Sequence, residues 1–112
     1  MIDLRRSGSR VRSGAVTVTH LPTPSTSDDP PRVAFAIGRR VGKAVDRNRV
    51  RRRLRVALRQ LAADPGGVPA GAYVIGVQPR AASRTFSQLK ADLARSLAKV
   101  AAQMESGATL VR

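Results

Sequence analysis

Between Arg39 and Arg59 the chain carries ten lysines and arginines and one acid, Asp46. From Arg47 to about Ala63 the pattern is helical. Val50, Leu54, Ala57, Leu58 and Leu61 recur at i, i+4, i+7, i+8 and i+11, which places them on one apolar stripe. At about 100° per residue, Asn48, Arg52, Arg55 and Arg59 fall on the opposite face, with Arg49, Arg51 and Arg53 on the flanks. Such a helix must pack its stripe on other elements and turn its cationic face outward. Like charges at i, i+4 repel, and that face holds no acid to offset them. An anion from outside the chain does so most simply. Arginine outnumbers lysine here, and its planar fork matches phosphate oxygens and stacks on bases. The backbone amides at the start of the helix offer an anion a further foothold.

The rest of the chain supplies what this helix packs against. With 112 residues it is a single small domain. Residues 1–14 are basic and punctuated by glycine. Val16 and Val18 alternate with Thr17 and Thr19, which predicts a strand over Ala15 to His20. Residues 21–31 hold four prolines and predict a flexible loop. In Arg32 to Gly38, Val33, Phe35 and Ile37 share one face of a second strand, with Ala34 and Ala36 on the other. Asp46 is placed to cap the basic helix, and Pro65-Gly66-Gly67 to end it. Ala72 to Val77 predicts a third strand. Thr85 and Gln88 have the spacing of a capping box. Behind them Phe86, Leu89, Leu93, Leu97, Val100 and Met104 form the stripe of an amphipathic helix to about Gln103. The fold class is therefore α+β, a small mixed sheet of three to four strands with a basic central helix and a C-terminal amphipathic helix. The domain spans 1–106 and a tail spans 107–112.

Charge and composition narrow the function. The 21 basic residues against 7 acids give a formal charge of +14. Such a charge strains a compact fold unless an anionic partner relieves it. The absence of cysteine excludes a disulfide framework and thiolate catalysis. No apolar run approaches the roughly 20 residues of a membrane-crossing helix, and the opening MIDLRRSGSR lacks a secretory signal's apolar segment. No HExxH, DxD or Walker-type loop is present. His20, the one histidine, reads as a half-buried strand residue and not as a catalyst. A helix-turn-helix needs adjacent short helices, whereas strands flank this basic helix. A basic zipper needs heptads that are absent here. A membrane-surface helix would carry Trp or Phe anchors. RNA bound through its backbone and shape is the leading reading, with neither DNA nor membrane as partner.

The segment VGKAVDRNRVRRRLR resembles the signature of the bacterial ribonuclease P protein component. Val41, Gly42, Ala44, Val45, Arg47, Asn48, Arg49, Arg51, Arg52 and Arg55 match it, ten of fifteen positions. The strand RVAFAIGRR and the later AYVIGVQPRAASRTFSQLKADL are also similar to the family's. The resemblance covers about residues 10 to 104. It implies a fold like the second domain of a small-subunit ribosomal protein, with an unusual left-handed strand–helix–strand crossover. It implies the protein subunit of a cytoplasmic ribonucleoprotein endonuclease. Its catalytic RNA, with Mg²⁺ and no cofactor on the protein alone, would remove the 5′ leader of precursor tRNA. No catalytic residue is then expected in this chain. Arg39, Arg40, Lys43, Arg47, Asn48, Arg49, Arg51, Arg52, Arg55 and Arg59 would contact the catalytic RNA. Phe35, Tyr73 and Arg80 would contact the leader, few aromatics for such a task. Leu4 and Gly8 match the end of the family's opening helix segment, so most of that helix is expected to be missing. A structural ribosomal protein or RNA chaperone is the alternative that composition alone would allow.

Overall fold

The computed structural model describes residues 9–21, 32–64, 68 and 71–111, with residues 9 and 104–111 described by their backbone alone. The expectations for the opening helix segment around Leu4 and Gly8, for loop residues 22–31 and for Pro65-Gly66-Gly67 fall outside the described residues.

Four strands form one sheet: β1 (Ser9–Ser13), β2 (Val16–Leu21), β3 (Arg32–Ala36) and β4 (Ala72–Val77), in the spatial order β1-β2-β4-β3. β1 pairs antiparallel with β2, and β2 antiparallel with β4. β3 and β4 are parallel neighbours, joined through α1 (Ala44–Ala63). The sequence pattern does not mark β1. Its SRVRS holds one apolar side chain, Val11, too little to separate a strand from a basic loop by alternation. Pairing with β2 makes it a strand, and Val11 lies opposite Val18.

The register assigns the two faces. Val11, Val18, Ile75 and Phe35 form one row across the sheet, and His20, Tyr73 and Val33 form another. Val16, Val18 and Ile75 are fully buried, so this face is the one the helices cover. The other face carries Arg10, Arg12, Thr17, Thr19, Ala34, Ala36, Val74 and Gly76. α1 contributes Val50, Leu54 and Ala57 to the core, all fully buried, with Leu58 and Leu61 partly buried at its margin. α2 (Phe86–Val111) contributes Leu89, Leu93, Leu97 and Val100, with Phe86 partly buried beside them. Each fully buried Val or Leu contributes about 1.5–3 kcal/mol. The two predicted stripes are thus the two core faces. The Met104 side chain falls outside the described residues.

Helix ends differ from the sequence expectations in two places. α1 begins at Ala44, so Asp46 lies inside its first turn and not at the cap. From there its Oδ2 accepts the Lys43 N–H at 3.1 Å, doing a capping box's reciprocal work. α2 runs to Val111, well past Gln103, and absorbs both Gly107 and most of the expected 107–112 tail. A lone glycine costs a helix about 1 kcal/mol, less than a break. At the other end the Thr85 capping box is present. Thr85 N donates to Gln88 Oε1 at 2.9 Å, and Gln88 N to Thr85 Oγ1 at 3.1 Å.

One polar cluster ties the layers together. Asp92 on α2 is fully buried. It accepts from Arg84 Nη2 at 2.8 Å, from Arg95 Nη2 at 2.7 Å and from the Ala15 backbone N–H at 3.1 Å. Ala15 and Gly14 are the two residues of the β1–β2 turn. Gly14 has φ +57, and a Cβ there would collide with the Asp92 carboxylate. The turn demands glycine twice, for its backbone and for the carboxylate beneath it.

Two expectations follow. Gly14→Ala should destabilise the fold by at least about 1–3 kcal/mol, from backbone strain alone, as read by urea unfolding at fixed ionic strength. An unchanged midpoint would mean that the turn does not rest on Asp92. The second concerns Tyr73, the only tyrosine, which is 2% exposed. Burial pushes its pKa from 10.0 up to about 12. The neutral phenol is favoured in the fold, so this contribution is whole below pH 10 and is lost as pH rises toward 12. Ultraviolet titration of the phenolate should give a midpoint near 12 in native protein and near 10 in urea.

Candidate nucleic-acid interface

The amphipathic design of α1 survives in three dimensions. Asn48, Arg52, Arg55 and Arg59 are exposed, as are Arg39, Arg40 and Lys43 just ahead of the helix. Arg47, Arg49 and Arg51 are half-buried along its flanks. Arg49 pairs with Asp46 at 2.9 Å, and Arg51 Nη1 donates to Asn48 Oδ1 at 2.8 Å. Arg52 and Arg59 have no hydrogen bond or ion pair among the described residues. The Arg55 guanidinium lies 5.8 Å from the centre of the Phe35 ring, a cation–π distance that leaves its charge unneutralised. The helix therefore presents a row of cations with hydrogen-bonding capacity to spare.

At the start of α1 one backbone amide, that of Lys43, is taken by a side chain. Asp46 already takes the Lys43 N–H and sits at the positive end of the helix dipole. Gly42 accommodates this. Its φ is +146, and a Cβ there would come within 2.6 Å of Asp46 Oδ2. The glycine in the VGKAVD segment thus has a mechanical reason.

The three leader candidates are not brought together. Tyr73 lies in the core, its ring centre 4.7 Å from that of His20. A ring with 2% exposure has no face to offer a base, which removes Tyr73 from the leader candidates. Phe35 is half-buried on the same helix-covered face, under Arg55. Arg80 is exposed, on the 3-10 turn Pro79–Ser83, and its Nη2 donates to the Gly14 carbonyl at 2.8 Å. Period-2 alternation carries the signal: Phe35 shares its face with Val33, and Tyr73 with Ile75.

The exposed sheet face brings together residues that lie far apart in the sequence. Small side chains, Ala34, Ala36, Gly76, Thr17 and Thr19, leave it flat, and Val74 is 39% exposed. Arg10 and Arg12 project along one edge and Arg32 lies on the other edge strand. With Val11 and Thr17, the first two line a concavity of about 330 Å³.

His20 is 1% exposed. Asp92 is committed to two arginines and a backbone amide. Among the described residues, no group of three or more His, Cys, Asp or Glu side chains gathers to hold a metal ion. No helix among them is long and apolar enough to cross a membrane.

A sheet backed by two helices, with an unneutralised arginine row on the helix between its parallel strands, defines a small basic α+β protein. The comparisons make the class specific. The chain belongs to the ribonuclease P protein family, whose Ribonuclease P pattern it matches over residues 3–101. It is 41% identical over 98 residues to the ribonuclease P protein component of Thermobifida fusca, covering 86% of this chain and 65% of that protein. To the corresponding protein of Acidothermus cellulolyticus it is 37% identical over 105 residues, covering 93% and 84%. The chain thus spans just under two-thirds of the first relative's length. The fold is shared with the Staphylococcus aureus RNase P protein, at a TM-score of 0.69, 19% identity and coverage of 89% and 86%. The Thermotoga maritima protein gives a TM-score of 0.69, 19% identity and coverage of 88% and 89%.

If the row repels itself, relieving it should not harm the fold. Replacing Arg52, Arg55 and Arg59 by Gln should leave the thermal midpoint equal or higher in low salt. The difference should vanish near 1 M salt, where the screening length falls to about 3 Å. A lower midpoint at low salt would show that the arginines stabilise the fold.

Proposed function

We propose that this chain is the protein subunit of ribonuclease P. It binds the catalytic RNA and assists removal of the 5′ leader from precursor tRNA in the cytoplasm. The observation that carries this reading is the unpaired Arg52, Arg55 and Arg59 row, set in the segment that matches the family. Arg39, Arg40, Lys43, Arg47, Asn48, Arg49 and Arg51 extend the same surface. These side chains neutralise phosphates and release counterions, which is most of what a backbone-reading protein needs. The chemistry belongs to the RNA. Mg²⁺ would be held there.

The leader is assigned to the exposed sheet face and not to Phe35 and Tyr73. That face is flat enough for a single strand to approach the backbone, and Arg10, Arg12 and Arg80 supply charge where aromatics are absent. The pairing of a cationic helix with a separate cationic sheet edge favours a protein that holds two RNA segments over a plain RNA chaperone.

The test is a salt titration of catalytic-RNA binding. Arg52→Ala/Arg55→Ala/Arg59→Ala should weaken binding and reduce the slope of log affinity against log salt. The reduction should be about 0.7–0.9 for each phosphate that is no longer neutralised. An unchanged slope sinks the assignment of this face. A wild-type protein that binds the RNA but never assists leader removal would point instead to a structural role.

A further inference from the structure

Arg53 stands apart from the other arginines of α1. It is half-buried, and its Nη1 donates to the Arg84 carbonyl at 2.9 Å, 31 residues away in sequence. Arg84 is where the Pro79–Ser83 turn leads into α2. Its own guanidinium grips Asp92 through Nε at 3.2 Å and Nη2 at 2.8 and 2.9 Å. Asp92 in turn holds Ala15 N in the β1–β2 turn. Arg95 closes the cluster, with Nη2 on Asp92 at 2.7 Å and Nε on Ser13 Oγ at 3.0 Å. A continuous chain of charge-assisted bonds therefore runs from the cationic helix to the hairpin that carries Arg10 and Arg12.

We infer that Arg53, acting through Arg84 and Asp92, is a positioning residue that fixes the phosphate-binding face of α1 relative to the exposed sheet face. The inference rests on the proposed function, in which these two surfaces hold two RNA segments at once. A protein doing that must keep one angle between its surfaces, because a small misplacement at one end is magnified across a bound strand. Apolar contacts alone allow a helix to slide on its neighbours. The link through Arg84 lets it do so only by disturbing the partners of a buried carboxylate, which is costly. Arg53 serves this purpose by facing inward, with its fork turned to the fold and not to a phosphate. Its positive charge belongs to the fold, although its sequence neighbours belong to the RNA.

The experiment uses the full chain reconstituted with a bacterial ribonuclease P catalytic RNA and a precursor tRNA bearing a short 5′ leader. Arg53→Met removes the donor while keeping much of the bulk. Arg52→Ala is the comparison, and Asp92→Asn perturbs the same link from its other end. Arg53→Met should keep the wild-type salt slope for catalytic-RNA binding. It should reduce the preference for precursor over mature tRNA by about threefold to tenfold, the range expected for a residue coupling two sites. Asp92→Asn should show the same pattern, and Arg53→Lys, which keeps a donor, should recover most of the preference. A slope lowered as much by Arg53→Met as by Arg52→Ala would overturn the inference, since Arg53 would then be a phosphate ligand. An unchanged preference in both Arg53→Met and Asp92→Asn would overturn it as well. If wild-type protein showed no binding to the catalytic RNA, the functional reading itself would fail, a result separable from either.

Discussion

The structure depends on the carboxylate of Asp92. In a chain with 21 basic residues and 7 acids, it is the acid placed fully out of water among the described residues. Burying a lone charge is prohibitive, and burying one with good partners is tolerable. Asp92 meets the condition with two guanidinium groups and a backbone amide. Its partners come from the hairpin turn, from the entry to α2 and from α2 itself. Remove that carboxylate and Arg84, Arg95 and the turn are deprived of their common acceptor together.

Asp92 also explains how so basic a chain folds while leaving a row of arginines unpaired. Its arginines divide by what they face. Arg53, Arg84 and Arg95 point to carbonyl, carboxylate and hydroxyl oxygens of the chain, and there positive charge consolidates the fold. Arg52, Arg55 and Arg59 are exposed, Arg55 with its guanidinium over the Phe35 ring, and water screens their charges from one another. A mixed-sign surface would have been more stable in isolation. It would also have competed with phosphate for the same guanidinium hydrogens. Keeping acids off the α1 face keeps it available.

Much of this was legible in the sequence, and the remainder was not for physical reasons. The helices were readable because each has a stripe at 3.6-residue spacing, and Val50, Leu54, Leu89 and Leu93 are where the pattern puts them. Strand β2 was readable from valines alternating with threonines, β3 from Val33, Phe35 and Ile37 alternating with small residues, and β4 from the run AYVIGV. β1 was not, because a strand with one apolar residue gains its identity from its partner and not from its own pattern. The Asp92 cluster was equally hidden. An aspartate within a helix reads as solvent-facing until Gly14, Ala15 and Arg84, distant or on another element, are known to converge on it. Of the candidate surface, the exposure of the α1 cations was legible because they lie on one element. The orientation of Phe35 and Tyr73 was not, because scarcity of a residue type says nothing about which way its side chain turns. Tyr73 and Phe35 stand out as rare aromatics, while the face they occupy is marked as core by Ile75 and Val33.

That same alternation has a consequence for how a nucleic acid strand can be held. Large side chains on the helix-covered face leave the opposite face to Thr17, Thr19, Ala34, Ala36 and Gly76. With Tyr73 and Phe35 drawn inward, that face has no aromatic ring among the described residues on which a base could stack. It offers instead close access to the sheet backbone, with arginines at its edges. Stacking on an aromatic ring contributes about 1–3 kcal/mol per base, and a surface without it must draw affinity from phosphates. Phosphate contacts position a strand without reading its sequence. Under the proposed function, recognition on this face would be set by the path of the strand between Arg10, Arg12 and the row on α1, and that path is only as well defined as the angle between sheet and helix.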